Sequence, residues 1–224
     1  MKRLPVKICG VTSPQQASEI AALGVEAIGL VFYPPSPRHV NEDQTRSILA
    51  ALPPSFPVVG VLVNEPVNTA AAKAERLGLR FLQLHGTESP ETVTALQCRG
   101  FYVIKALHAR TATWQEEANR WPVDIPLLVE CPSRDLPGGT GTQWNWKQAA
   151  PLAQRRPLIL AGGLTPENIG RAVAEVQPAA LDVSSGVEER PGIKSLEKIR
   201  RLLDNLARLP WIPSFPSPWK AFNG

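Results

Sequence analysis

Lys7-Ile8-Cys9, Gln83-Leu84-His85 and Asp182-Val183-Ser184 each set two polar side chains two residues apart among aliphatic ones. In an extended chain, residues i and i+2 point the same way, so each pair shares one strand face. Lys105, between Ile104 and Ala106, and Glu130, after Leu127-Leu128-Val129, add an amine and a carboxyl. A thiol, an imidazole, carboxylates and amines in such an array can move protons as general acids and bases. Each also has a plainer reading: an inward lysine can form a structural ion pair, and a strand cysteine is usually a small buried hydrophobe. Burying Lys7, His85, Lys105, Glu130 and Asp182 at one mouth is costly unless they pair or meet a charged ligand. Together they point to a polyionic active site.

Small-residue turns suggest what that ligand carries. Gly162-Gly163 follows one apolar run, Ser184-Ser185-Gly186 another, and Gly138-Gly139-Thr140-Gly141 a third. Glycines can serve merely to make tight turns. Backbone N–H groups of such turns, next to a helix start, also hold phosphate, so the pattern indicates a phosphorylated small-molecule substrate.

These residues need a scaffold, and the chain supplies a repeating one. Eight short Val/Ile/Leu-rich runs, at 5–10, 27–32, 58–63, 81–85, 102–107, 127–131, 158–161 and 181–184, alternate with stretches of helical period. Ser13-Pro14, Ser89-Pro90 and Thr165-Pro166 read as helix starts, and Gly24, Gly78 and Gly100 as helix stops. Strands separated by whole helices run parallel, and eight such units imply an α/β fold, a single-domain (β/α)8 TIM barrel over 1–209. In that fold, functional groups collect at the C-terminal ends of the strands, and phosphate is often held after strands seven and eight. An open doubly wound sheet is the alternative, but its dinucleotide turn needs several glycines, and Cys9-Gly10-Val11-Thr12-Ser13 has one. The Pro/Trp-rich tail, 210–224, has too many prolines for another helix and is expected as an extended segment on the surface.

Composition excludes other classes. With 43% hydrophobic and 20% charged residues, the 224-residue chain lies far from the disordered regime. Its net charge of +4 is not gathered into a nucleic-acid footprint, because Arg155-Arg156 and Lys198-Arg200-Arg201 read as solvated faces. Three cysteines without CxxC spacing suggest neither a disulfide framework nor a metal site, and they point to a reducing compartment. The N-terminal residues lack a signal-like apolar core, and no apolar run reaches the ~18 residues of a membrane span. The expectation is a cytoplasmic protein, monomer or homodimer, with neither membrane nor nucleic-acid partner.

Read in order, Lys7-Ile8-Cys9-Gly10-Val11-Thr12, Gly29-Leu30-Val31-Phe32-Tyr33 with Ser36-Pro37-Arg38, Gln83-Leu84-His85-Gly86, Gly138-Gly139-Thr140-Gly141, Leu160-Ala161-Gly162-Gly163-Leu164 with Pro166-Glu167-Asn168, and Asp182-Val183-Ser184-Ser185-Gly186-Val187-Glu188 form a set. It resembles the phosphoribosylanthranilate isomerase family of tryptophan biosynthesis from about residue 5 to 206. The resemblance implies an Amadori rearrangement of N-(5-phosphoribosyl)anthranilate to 1-(2-carboxyphenylamino)-1-deoxyribulose 5-phosphate, without cofactor or metal. It makes Cys9 the general base, with Lys7 expected to lower its pKa. Arg38 would hold the anthranilate carboxylate, and Gly162, Gly163, Ser184, Ser185 and Gly186 would surround the phosphate. Gly139, His85 and Asp182 would line the substrate.

The family's general acid is an aspartate at the end of strand six, and this chain has Glu130 there. The extra methylene shifts the carboxyl by about a bond length, and ~1 Å of misplacement can cost on the order of 100-fold in rate. Either the pocket has adjusted or turnover is slow; Asp135, in the following loop, is a second candidate acid. Trp144-Asn145-Trp146 replaces the family's Phe-Asp-Trp, with Asn145 read as a helix cap. The competing readings are a catalytically degenerate phosphosugar-binding barrel and, last, another phosphosugar barrel enzyme, which leaves Cys9 beside Lys7 unexplained.

Overall fold

The computed structural model describes residues 4–109, 113–130, 144–211 and 214–219. Eight parallel strands close in sequence order into one barrel. They are β1 Val6–Cys9, β2 Ala27–Val31, β3 Val58–Leu62, β4 Phe81–Leu84, β5 Tyr102–His108, β6 Leu127–Glu130, β7 Leu158–Leu160 and β8 Ala180–Val183. Closure comes from β1 pairing with both β2 and β8, which sets Lys7 beside Ala27 on one side and Asp182 on the other. The helices α1 Pro14–Ala22, α2 Glu42–Ala50, α3 Val67–Leu77, α4 Pro90–Gln97, α5 Trp114–Ala118, α6 Ala150–Ala153, α7 Ile169–Val176 and α8 Leu196–Ala207 return the chain between strands. A short hairpin, β9 Glu188–Arg190 and β10 Ile193–Lys194, precedes α8.

Local signals explain the helix ends, and two miss. Ser13 Oγ accepts the Gln16 N–H at 3.3 Å with Pro14 in the first turn, and Gly78 closes α3 in the left-handed region. Asn145 makes no side-chain cap, and the expected helix over 146–154 is a 3-10 turn, Trp146–Ala149, running into α6. Helix α7 begins at Ile169, three residues beyond Pro166, because Asn168 Oδ1 accepts the Thr165 N–H at 2.8 Å and holds 165–168 as a turn.

Two apolar layers fill the molecule, one between sheet and helices and one inside the barrel. The inner one holds Ala27, Val59, Phe81, Ile104, Ala106, Leu128, Ile159, Ala161 and Ala180. On β5, Ile104 and Ala106 therefore face the lumen, while Val103 and Leu107 pack outward. This corrects the expectation for Lys105: it lies on the outer face, where Nζ reaches Gly86 O at 2.6 Å and Glu88 Oε2 at 2.8 Å. A one-residue slip in the assumed parity moves a side chain to the opposite face, and the lumen position on β5 belongs to His108.

The tail is also corrected. Instead of lying on the surface, its Trp219 is 1% exposed and packs with the inner layer. Pro216, Ser217 and Pro218 line a cleft with Phe101, Tyr102, Asp124, Pro126 and Pro157, at the starts of β5 to β7. The small side chains of Ala27 and Ala180 in the inner layer are compatible with an indole entering the floor of the barrel.

Candidate active site

At the C-terminal mouth, a pocket is lined by Cys9, Ser36, Arg38, Gln83, His85, Glu130, Asp182 and Ser184, with Val31, Val61 and Val63 as its aliphatic wall and Tyr33 beside them. Larger clefts, of about 660 and 580 Å³, lie at the opposite face around the tail and contain none of these groups. The ionisable groups singled out in the sequence gather at the mouth.

Lys7 is fully buried and donates from Nζ to Asp182 Oδ1 at 2.7 Å. Burial alone pulls the Lys7 pKa down, but Asp182 overrides it and the ammonium is held charged. Burial pushes the Cys9 thiol up, and the opposing pull of Lys7 does not cancel it. The expected lowering of the Cys9 pKa is therefore reversed: Lys7 acts in the expected direction, yet it is matched to Asp182 in a dry lumen. Gly29, beside Cys9 in β2, makes room for the thiol, because a Cβ there would meet Cys9 Sγ at 2.8 Å and Lys7 Cε at 3.2 Å.

Glu130 sits between two imidazoles. His85 Nε2 lies 2.9 Å from Glu130 Oε1, and Gln83 Nε2 donates to His85 Nδ1 at 2.8 Å. Gln83 and Glu130 thus hold the two ring nitrogens of His85 between them. On the other side, His108 Nδ1 lies 3.4 Å from the same Oε1. Burial would raise the Glu130 carboxyl, but the two rings hold it well below the usual carboxylate range.

Arg38 is buried and already paired. Nε and Nη2 form a two-pronged bridge to Glu188 Oε1 and Oε2 at 2.8 and 2.6 Å, and Lys194 Nζ shares Glu188 Oε1 at 2.7 Å. Burial would raise the Glu188 carboxyl, yet Arg38 and Lys194 hold it low. The Arg38 stem covers Gly10, whose φ of 78° and closeness to Arg38 Cδ leave no room for a side chain. Ser184 Oγ donates to Cys9 O at 3.0 Å, tying the β8 loop to β1.

The two phosphate-loop candidates meet: Gly186 packs against the Leu164 carbonyl, which follows Gly162 and Gly163. Trp146 Nε1 donates to Gly162 O at 3.0 Å and Asn168 Nδ2 to Gly163 O at 2.8 Å, fixing the first loop from behind. Ser185 begins a 3-10 turn, Ser185–Val187, that shapes the second. Gly139, with the rest of 138–141, Cys131 and Asp135, lies outside the described residues. Sequence reasoning missed His108, Glu188 and Lys194. The lumen parity of Ile104 and Ala106 could have found the first; the other two depend on a hairpin that carries no chemical motif.

A closed (β/α)8 barrel with thiol, imidazole, carboxylate and guanidinium groups at its C-terminal mouth defines a barrel enzyme of the proton-transfer type. Comparison with known proteins narrows the class. The family model described as N-(5'phosphoribosyl)anthranilate (PRA) isomerase matches residues 6–205, and the chain belongs to that family. An N-(5'-phosphoribosyl)anthranilate isomerase of Desulfatibacillum aliphaticivorans is 46% identical over 200 residues, 89% of this chain and 91% of that one. The crystal structure of phosphoribosyl anthranilate isomerase from Thermotoga maritima matches with a TM-score of 0.85 at 37% identity, covering 92% of this chain and all of that one. A phosphoribosyl anthranilate isomerase in complex with reduced 1-(o-carboxyphenylamino)-1-deoxyribulose 5-phosphate matches with a TM-score of 0.81 at 36% identity, over 92% of this chain and all of that one.

Proposed function

We infer that this chain is the isomerase that converts N-(5-phosphoribosyl)anthranilate to 1-(2-carboxyphenylamino)-1-deoxyribulose 5-phosphate in tryptophan biosynthesis. The observation that carries the reading is that Cys9 and Glu130 line one small pocket in a barrel of this family. Protonation of the furanose ring oxygen breaks the C1′–O bond, whose electron pair stays on oxygen, while the anthranilate nitrogen forms a Schiff base. A base then takes the C2′ proton, the electron pair makes the C1′=C2′ bond, and the enolamine becomes the ketone.

Cys9, as thiolate, is the base, and Glu130 delivers the proton to the ring oxygen. Glutamate's extra methylene is compatible with this role because the carboxyl is held by His85 and His108 rather than left to swing. Its Oε2 has no hydrogen bond to a described residue and is the oxygen left for substrate. Arg38, braced by Glu188, holds the anthranilate carboxylate, and Gly162, Gly163, Ser184, Ser185 and Gly186 cradle the phosphate with Gly139 from the β6 loop. His85 and Asp182 line the sugar. No helix among the described residues is long and apolar enough to cross a membrane, and the assignment to the cytoplasm follows from the biosynthetic reaction. The association state proposed is monomer or homodimer.

Loss of substrate fluorescence in steady state tests the reading with the full chain. The wild type turns over, whereas Glu130→Gln loses on the order of 10²- to 10⁴-fold in kcat; a substrate that binds without turnover establishes the degenerate barrel instead. Gly29→Ala forces the Cys9 thiol aside and lowers kcat by on the order of 100-fold in the same assay with the fold intact by circular dichroism; unchanged turnover rejects the close fit as a positioning device.

A further inference from the structure

The ends of three neighbouring strands bring nitrogen and oxygen donors to one spot. His85 follows β4, His108 closes β5 and Glu130 closes β6, with His108 and Glu130 paired in register. His85 Nε2 lies 2.9 Å and His108 Nδ1 3.4 Å from Glu130 Oε1, and the three atoms all fall within 4.8 Å of one another. The isomerase mechanism uses the carboxyl and gives His108 no contact with substrate.

Charge matching sets Glu130 apart from the other carboxylates described above. Asp182 has Lys7, Glu188 has Arg38 and Lys194, and Glu88 has Lys105. The partners of Glu130 among the described residues are the two imidazoles, which hold it ionised. A proton that an imidazole turns toward a carboxylate can be exchanged for a metal ion, because both occupy the same ring lone pair.

Each ring is anchored at its far nitrogen, as a metal-ligating histidine is. His108 Nε2 lies 3.3 Å from the His85 carbonyl, which only accepts, so a proton stays on Nε2 and Nδ1 is the coordinating atom. His85 Nδ1 lies 2.8 Å from the side-chain amide of Gln83, whose Oε1 is buried without a hydrogen-bond partner among the described residues. Turned over in place, that amide presents its oxygen to an Nδ1–H and leaves Nε2 as a ligand. Two imidazole nitrogens and a carboxylate oxygen are a zinc donor set, whereas Mg²⁺ and Ca²⁺ take oxygens. Donors about 2.1 Å from a tetrahedral zinc stand about 3.4 Å apart, so the two rings close on each other by at most about 1.4 Å.

We propose that His85, His108 and Glu130 form a Zn²⁺ site that inhibits the enzyme. Zinc enters from the catalytic pocket, which His85 and Glu130 line, and displaces the ring protons that face the carboxylate. A zinc-bound carboxylate cannot take up the proton that the sugar ring oxygen needs. The site stands on geometry alone; its inhibitory effect rests on the isomerase reading.

Calorimetric titration of the full chain, stripped with EDTA, with ZnCl₂ tests the site without reference to turnover. The expected result is a saturable zinc site in the wild type, no such site with MgCl₂, and binding weakened by on the order of 100-fold or more in His108→Ala. Gln83→Leu, which removes the anchor behind His85, weakens it by on the order of 10- to 100-fold. His108→Gln serves if the alanine variant does not fold. In the fluorescence assay ZnCl₂ stops wild-type turnover over the same concentration range, and EDTA restores it. Absent binding, or binding of equal strength in His108→Ala, as with zinc taken by Cys9 or the exposed Cys98 instead, overturns the site. Zinc bound through His108 with turnover unchanged overturns the inhibition. A wild type that binds zinc in this way but never turns over overturns the isomerase reading and leaves the site standing.

Discussion

Replacing Cys9 with alanine abolishes turnover and leaves the barrel folded. The expected loss in kcat is on the order of 10²- to 10⁴-fold, the contribution of a positioned general base. The fold survives because the adjacent charges are matched to each other: Lys7 stays paired with Asp182 at 2.7 Å whether or not the thiol is present. The pH dependence adds a signature. Burial holds the Cys9 thiol above its ordinary value, so the reactive thiolate becomes more abundant as pH rises, and wild-type kcat/KM climbs through neutral into alkaline pH. That limb disappears in Cys9→Ala. A variant with wild-type turnover, or a wild type whose rate falls over the same range, removes Cys9 as the base.

Trp219→Ala costs the protein about 3–5 kcal/mol of stability, the usual range for deleting a large aromatic from a packed interior. For a domain of this size each kcal/mol lowers Tm by about 2–4 °C, so the melting midpoint falls by roughly 10 °C. The indole packs among Val59, Phe81, Ile104, Leu128 and Ile159 in the lumen floor, with the Lys7 ammonium 5.9 Å from its ring centroid. Its Nε1 is buried without a hydrogen-bond partner among the described residues, so Trp219→Phe is expected to be much milder. Calorimetry on the three proteins decides: equal melting temperatures for wild type and Trp219→Ala place the tail outside the cooperative core. The family model matches residues 6–205, so Trp219 lies beyond the stretch it covers.

The barrel was legible because each strand is a short aliphatic run and each helix carries its own punctuation; the expected runs overlap all eight observed strands. Polar pairs two residues apart gave the correct lumen face on β1, β4 and β8. On β5 the same rule failed, since Lys105 is a lone polar residue and its flanking aliphatics suit either face. Its pairing with Glu88 depends on a loop contact across β4 that no local pattern encodes. The sign of the Cys9 shift failed for a related reason: sequence shows Lys7 nearby but not how deeply both are buried, nor that Asp182 has claimed the lysine. Arg38 was found, but its brace on Glu188 lies 150 positions away. Trp219 was hidden by composition, because a proline-rich segment reads as surface unless the cavity that receives its one large ring is known.

The most direct test of the account is the structure of the full chain bound to a reduced product analogue. The account predicts the Glu130 carboxyl within about 3 Å of the oxygen that closes the sugar ring, hydrogen-bond reach for a general acid. It also predicts the Cys9 sulfur facing C2′ from the other side of the sugar and the phosphate between the Gly162 and Ser184 loops. A Glu130 carboxyl turned away from the sugar, with another group in contact with the ring oxygen, contradicts it.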